Sequence, residues 1–349
     1  MKADKPVLAG LPCDELTQAL APLPRYRSIQ IFKWIARGTQ TFDEMSNLPL
    51  TMREELNERF RVRSCAVGTS VTGPDGTVKL GISLDDGITV EAVLLTDDKN
   101  RKTACLSTQA GCPAGCVFCK TGAMGFLRNL SSAEIVEQFL LLRETGGDIS
   151  NIVIMGMGEP FLNLDELRRA LSVIRDPQGI GLSKRRITVS TCGISEGIID
   201  LADNGPDVRL AVSLTAADEG LRERLMPISR GQKLGAIKNA LAYFQKSGGG
   251  RVTLEVVLLG GINTRQRDAQ ALADFARGLD VVVNLIPWNS FENPPPFTPA
   301  LHEPERGETA DFKNRLESLG MKVTCRLRRG SGILGACGQL GSTDRRDAH

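Results

Sequence analysis

From Thr103 to about residue 290, short apolar runs alternate with stretches of helical period, and this rhythm restricts the fold more than any other property of the chain. The apolar runs are TACLST, NIVIMGMGEP, RITVST, VRLAVSL, RVTLEVVLLG and VVVNLIPW. Between them, SSAEIVEQFLLLRET, LDELRRALSVIR, LGAIKNALAYFQKS and RQRDAQALADFARG repeat apolar residues every three or four positions, as one face of a helix does. Strands that return in the same direction need a crossover, so six βα units imply a parallel α/β sheet curving into a partial, TIM-like (β/α)6 barrel. Ligands of such a barrel bind at the loops that follow its strands. Here those ends are small and polar: Gly156 to Pro160, Ser190 to Gly193, Ser213 to Thr215, Gly260 to Asn263 and Pro287 to Asn289.

Two smaller parts precede the barrel. Residues 1–65 read as a helical accessory domain, with SIQIFKWIARG at helical spacing and LTMREELNERF resuming after the Pro49 break. Its basic residues Arg25, Arg27, Lys33, Arg37, Arg53, Arg59, Arg61 and Arg63 could track phosphates, but acidic residues are interleaved, and a solvated face explains the pattern as well. Residues 66–102 form a β-hairpin extension, where Asp85-Asp86-Gly87 separates two runs of period two. Residues 103–341 hold the barrel and a C-terminal segment, and 342–349 are a polar tail. FENPPPFTPA is a proline-rich surface loop, not a domain linker.

Composition narrows the setting. The net charge is only +2 over 349 residues, so any nucleic-acid binding rests on local clusters such as Lys99, Arg101 and Lys102, Lys184 to Arg186, and Arg326, Arg328 and Arg329. No apolar run reaches membrane-spanning length and the first residues lack a signal-peptide core, so a cytoplasmic protein without membrane contact is expected. In that reducing compartment nine cysteines point to metal or redox chemistry more than to a disulfide scaffold.

Three of them, Cys112, Cys116 and Cys119, follow the first barrel strand in the spacing C-x3-C-x2-C. Thiols that close in sequence point to a shared metal. Structural zinc wants four protein ligands, yet the chain has two histidines and no second cysteine pair. A four-iron cluster takes one thiolate per iron, so three cysteines leave one iron open to an outside chelate. Zinc stays as the weaker reading, and with it a zinc-stabilised RNA-binding module as the non-enzymatic alternative.

The string CLSTQAGCPAGCVFCKTG resembles the cluster loop of the radical S-adenosylmethionine (SAM) enzymes. More narrowly, it resembles the RlmN family of dual-specificity adenine carbon-2 methyltransferases, which act on 23S rRNA at the peptidyl transferase centre and on tRNA 3′ of the anticodon. The carbon-8 sibling, the Cfr type, shares the motif. The resemblance implies a radical SAM barrel, one 4Fe-4S cluster on Cys112, Cys116 and Cys119, and two SAM molecules per turnover. It also implies an electron donor for the cluster; a monomer is expected. MGMGEP resembles the motif that contacts the SAM amino group. By family position Gly158, Glu159, Ser190, Ser213, Leu214, Thr215 and Asn289 would line the SAM site.

Adenine carbon 2 has no available lone pair and cannot attack a sulfonium methyl. The resemblance implies a way round this: Cys337, in GACGQL, is methylated, loses hydrogen to a 5′-deoxyadenosyl radical and joins the base through the resulting methylene. Cys105 then attacks the sulfur of Cys337 to leave a disulfide, with Glu91 as proton acceptor. Without the motifs, a strand cysteine is an ordinary core residue and a strand glutamate a surface one; Cys13, Cys65, Cys192 and Cys325 are read as structural. NLIPWN looks like the carbon-2 type, since the carbon-8 type usually has Arg-Tyr at Pro287-Trp288. Two departures stand out. Thr215 replaces a family histidine, and Gly332 to Ala336 replaces an acidic pattern ahead of Cys337.

Overall fold

The computed structural model describes residues 5–326 and 328–341; the polar tail of the sequence reading lies outside them. Three helices open the chain: α1 (Cys13–Ala19), α2 (Arg25–Arg37) and α3 (Leu50–Arg59). In α2 the residues Ile31, Phe32, Ile35 and Ala36 recur at helical spacing and are all buried, and Gly38 ends the helix in a left-handed conformation that costs a residue without Cβ nothing. Burial of each such aliphatic or aromatic side chain contributes about 1.5–3 kcal/mol.

Strands β1 (Ala66–Thr72), β2 (Val78–Ser83), β3 (Thr89–Thr96) and β4 (Lys102–Leu106) run antiparallel in sequence order. The extension is therefore continuous with the barrel sheet, and β1 adds a fully exposed third strand to the expected hairpin. A small separate hairpin, β5 (Gln109–Gly111) with β6 (Phe126–Asn129), brackets the cysteine loop and the short helix α4 (Lys120–Met124).

The βα rhythm then appears in full: α5 (Ser132–Gly146), β7 (Asn151–Ile154), α6 (Leu164–Arg175), β8 (Ile187–Thr191), α7 (Ser195–Asn204) and β9 (Arg209–Ser213). It continues through α8 (Glu219–Leu225), α9 (Leu234–Lys246), β10 (Val252–Leu258), α10 (Gln266–Ala276), β11 (Val281–Pro287), α11 (Glu308–Ser318) and β12 (Val323–Cys325). The six expected strands β4, β7, β8, β9, β10 and β11 are successive parallel neighbours, and β12 adds a seventh. The ten-stranded sheet ends at β1 and β12 without closing on itself, which leaves an open barrel.

A buried carboxylate joins the helical part to the barrel. Glu137 of α5, with no exposed surface, accepts the backbone N–H groups of Ser64 and Cys65 at 2.7–3.0 Å and the Ser64 hydroxyl at 2.9 Å. These bonds satisfy a charge that burial would otherwise penalise by several kcal/mol. Arg63 adds an ion pair to Glu144 on the same helix at 2.5 Å.

Candidate active site

The cysteine loop owes its shape to two glycines with positive φ, Gly111 and Gly115. A Cβ on Gly111 would lie 1.9 Å from the Gly125 carbonyl oxygen, the same oxygen that accepts the Cys112 N–H at 2.8 Å. Gly111→Ala is therefore expected to open the β5–β6 bracket. Iron bound after anaerobic reconstitution should fall several-fold and the melting temperature should drop, both measurable on purified protein. The loop is held from outside as well, by Val117 N–H to the Leu225 carbonyl at 3.0 Å and by the Trp288 indole N–H to the Phe118 carbonyl at 2.8 Å.

Cys112, Cys116 and Cys119 line one cavity of about 130 Å³ together with Glu159, Ser190, Ser213 and Asn289. Burial pushes the Cys112 thiol up to about 12 and raises Cys116 and Cys119 as well. Among the described residues no three His, Cys, Asp or Glu side chains converge on a point that a single ion would fill. Tetrahedral zinc would bring its thiolates to within about 4 Å of one another. A four-iron cluster places each thiolate on a different iron, and three thiols on the wall of one cavity that is also lined by open polar groups suit a cluster with one iron left to a ligand.

Glu159 is 3% exposed, and its carboxylate accepts Phe161 N–H at 3.0 Å and Cys192 N–H at 2.6 Å, tying the end of β7 to the end of β8. Gly158, at φ +107°, approaches so closely that a Cβ would meet Gln109 at 2.7 Å. The Ser190 and Ser213 hydroxyls stand 3.4 Å apart at neighbouring strand ends. Asn289 donates to the Cys337 carbonyl at 3.0 Å, while its buried Oδ1 has no partner. A buried acceptor left open at a cavity wall fits a ligand that brings a donor.

Leu214 and Thr215 are placed differently from the other expected SAM residues. Neither lines this cavity. Leu214 is wholly buried; Thr215 sits at φ +57°, a strained setting for a β-branched residue, and faces a separate small cavity beside Asn263 and Phe312. Its position in the chain leads to the strand end, but the left-handed turn carries its side chain away.

Cys337 lines this first cavity and also a second of about 60 Å³, shared with Cys105, Met155 and Arg326. The fold thus brings the two thiols to one space. Burial pushes Cys105 up to about 12 and Cys337 to about 11, and in each case the Arg326 guanidinium is the first influence pulling the thiol back down. Glu255, buried on β10, raises both and lies in a polar row that the sequence reading missed: Ser213, Glu255, Asn284 and Thr324 are paired in register across β9 to β12. A charged residue inside the apolar run LEVVLL was the available signal.

Glu91 lies on β3 two residues from Val93, the register partner of Cys105. Its carboxylate is fully engaged, by Lys79 at 3.0 Å and by the Gly341 N–H at 2.6 Å, and Lys79 also donates to the Leu334 carbonyl at 3.3 Å. The ion pair therefore clasps both ends of the segment that carries Cys337. Just ahead of that segment, where the chain departs from the acidic pattern, lies a 3-10 turn at Ser331–Ile333, with Leu334 in a left-handed conformation.

The basic clusters are largely committed elsewhere. Arg101 pairs with Asp97, Lys184 with Asp207, Arg328 with Glu303 and Arg329 with Asp98, while Lys102 donates to the Gly146 carbonyl. Any phosphate they met would have to displace these partners. No helix among the described residues is long and apolar enough to cross a membrane.

Comparison with known proteins agrees with this geometry. Residues 106–273 match the family model described as the Radical SAM superfamily, and residues 8–62 match the Ribosomal RNA large subunit methyltransferase N-terminal domain. A probable dual-specificity RNA methyltransferase RlmN from Treponema pallidum is 49% identical over 336 residues, covering 96% of this chain and 97% of its own. Its namesake from Thermotoga neapolitana is 42% identical over 338 residues, covering 95% and 96%. The crystal structure of a radical SAM methyltransferase from Sphaerobacter thermophilus superposes with a TM-score of 0.90 at 38% identity, over 96% of this chain and 99% of that one. Relatives this similar along nearly the whole length, together with both family matches, establish that the chain belongs to the RlmN family of radical SAM RNA methyltransferases.

Proposed function

We propose that this enzyme methylates carbon 2 of an adenosine in 23S rRNA, at the peptidyl transferase centre, and in tRNA, 3′ of the anticodon. The observation that carries the reading is the position of Cys337 on the wall common to the cysteine-loop cavity and the cavity of Cys105. Cys112, Cys116 and Cys119 would hold one 4Fe-4S cluster, and Gly158, Glu159, Ser190, Ser213 and Asn289 would surround SAM, with Leu214 and Thr215, just beyond the end of β9, contributing through the backbone they bond to the Glu255 carbonyl. When bound, cluster and SAM supply the methyl group and a hydrogen-abstracting radical, two SAM being consumed per turnover.

The chain's own residues do the rest. Cys337 receives the methyl on sulfur, and the same carbon later bonds to the base. Glu91 accepts the proton from carbon 2, the adduct's unpaired electron going back to the one-electron carrier that supplied it, and this requires Gly341 or Lys79 to release the Glu91 carboxylate. The Cys105 thiolate attacks the sulfur of Cys337, forming the Cys105–Cys337 disulfide and breaking the bond from sulfur to the methylene carbon, which leaves with the electron pair and takes up a proton to complete the methyl group. The helices of residues 1–65 serve as an RNA-binding accessory, and an external donor reduces the cluster; the enzyme acts as a cytoplasmic monomer. An adenosine buried in folded RNA must be splayed out, at about a few kcal/mol that backbone contacts offset.

Anaerobically reconstituted protein with SAM, reductant and rRNA or tRNA is expected to yield 5′-deoxyadenosine and 2-methyladenosine, read by mass spectrometry of the digested RNA. Formation of 8-methyladenosine alone would favour the Cfr-type chemistry instead. The Pro287-Trp288 pair argues for carbon 2, with Trp288 buried and bonded to the cysteine loop.

A further inference from the structure

Arg222 of α8 is wholly buried, yet every acceptor it reaches is uncharged. It donates to the Cys192 carbonyl at 2.5 Å, to the Ser213 carbonyl at 3.2 Å and to the Leu214 carbonyl, and lies 3.4 Å from the Met226 sulfur; its Nε has no partner. Glu219, one turn earlier on the helix, is turned elsewhere: one oxygen accepts Leu234 N–H at 2.8 Å and the other is buried without a partner. An arginine cannot discard its proton, and a buried guanidinium facing only dipoles carries a penalty of several kcal/mol. The fold places a permanent positive charge here and provides no bonded carboxylate to balance it.

The cysteine loop lies across from it. The end of α8 and the following turn hold that loop through Val117 N–H to the Leu225 carbonyl and Ile228 N–H to the Ala114 carbonyl. Of the ionisable groups that act on the guanidinium, Cys192 comes first, the Cys116 sulfur across this contact second and Glu219 third; burial keeps the Cys192 thiol protonated, so it brings no negative charge. With the three cysteines deprotonated on a 4Fe-4S core, the net charge on that side is negative, and it becomes more negative by one on reduction. The missing counter-ion is then the cluster itself.

We propose that Arg222 is the built-in counter-charge of the cluster, a positioning residue that favours the loaded loop and raises the cluster's reduction potential. The inference rests on the cluster reading above and assigns to Arg222 no contact with SAM or RNA. A fixed positive charge stabilises the reduced, more anionic cluster more than the oxidised one, so its removal shifts the potential downward. Low local dielectric keeps the effect from being screened by salt.

The test compares wild type, Arg222→Met and Arg222→Lys after anaerobic reconstitution without SAM, measuring iron content and the midpoint of a spectroscopic redox titration. Arg222→Met is expected to titrate at a more negative potential, by at least tenfold in the one-electron equilibrium, or about 59 mV. Arg222→Lys, which keeps the charge, should recover most of that shift. Glu219→Gln leaves the guanidinium in place, removes a nearby anion and should move the midpoint upward; it decides the matter if Arg222→Met does not fold. A midpoint unchanged in Arg222→Met, or lowered equally in Arg222→Lys, or unmoved in Glu219→Gln, overturns the proposal. Wild-type protein that takes up no iron would instead sink the cluster reading itself.

Discussion

Cys337→Ala protein is expected to bind iron like wild type and to transfer no methyl group at all. The alanine should fold, because the local contacts of this segment are made by its backbone: the Cys337 carbonyl accepts from Asn289, the Gly338 carbonyl from Lys120 N–H, and the Leu340 carbonyl from the Thr121 hydroxyl at 2.6 Å. The residues proposed to hold the cluster are three other cysteines. What disappears is the sulfur on the wall between the two cavities, and with it the atom that would carry the methyl to an aromatic carbon unable to fetch it. Iron content and visible absorbance should be unchanged while methylated adenosine falls to background. Residual methylation near the wild-type rate would place the carrier elsewhere.

Cys105→Ala should behave differently, stopping the reaction after the base has been attached. Cys105 shares its cavity with Cys337, Arg326 and Met155, so the two sulfurs border one space in which the attack would take place. Without it the bond between protein and RNA has no thiolate to break it. A nuclease-sensitive species of higher mass should accumulate on denaturing gels, at up to one RNA per protein. The wild-type release step should also depend on pH in a definite direction. Burial holds the Cys105 thiol at about 12, so near neutrality its reactive thiolate fraction grows roughly tenfold per pH unit. Release should therefore quicken as pH rises, while Arg326→Met, removing the cation that pulls the thiol down, should slow it at any one pH.

These two outcomes depend on a meeting that no local pattern could announce. The period-two runs of β2 and β3 mark strands but not their burial, which in β3 takes in five residues in a row, whereas the helical period of α6 is written in adjacent residues, because side-chain burial on one face is a local requirement. The same holds for the cysteine loop, whose spacing and glycines lie within one short stretch. Glu91 was legible as a candidate only through family resemblance, and its clasp with Lys79 and Gly341 was not legible at all, since the partners come from two strands and the chain's end. Thr215 shows the converse. Its place after β9 suggested a cavity residue, and one positive φ turned it away. The basic clusters looked free in sequence because their acidic partners, such as Glu303 for Arg328 and Asp207 for Lys184, lie in other elements.

The sequence by itself determined the six parallel strands, four of the helices between them (α5, α6, α9 and α10, but not α7 or α8) and the three-thiol loop, for each of these follows from periodicity or spacing over a few residues. Only the tertiary structure decided that Cys105 and Cys337 share a space, that Glu91 fastens the segment carrying one of them, and that Arg222 is buried facing the loop without a bonded anion. Such facts depend on which strands become neighbours and how the last segment crosses the barrel mouth. That is settled by the packing of the whole sheet, which places residues far apart in the chain within reach of the same sulfur atoms.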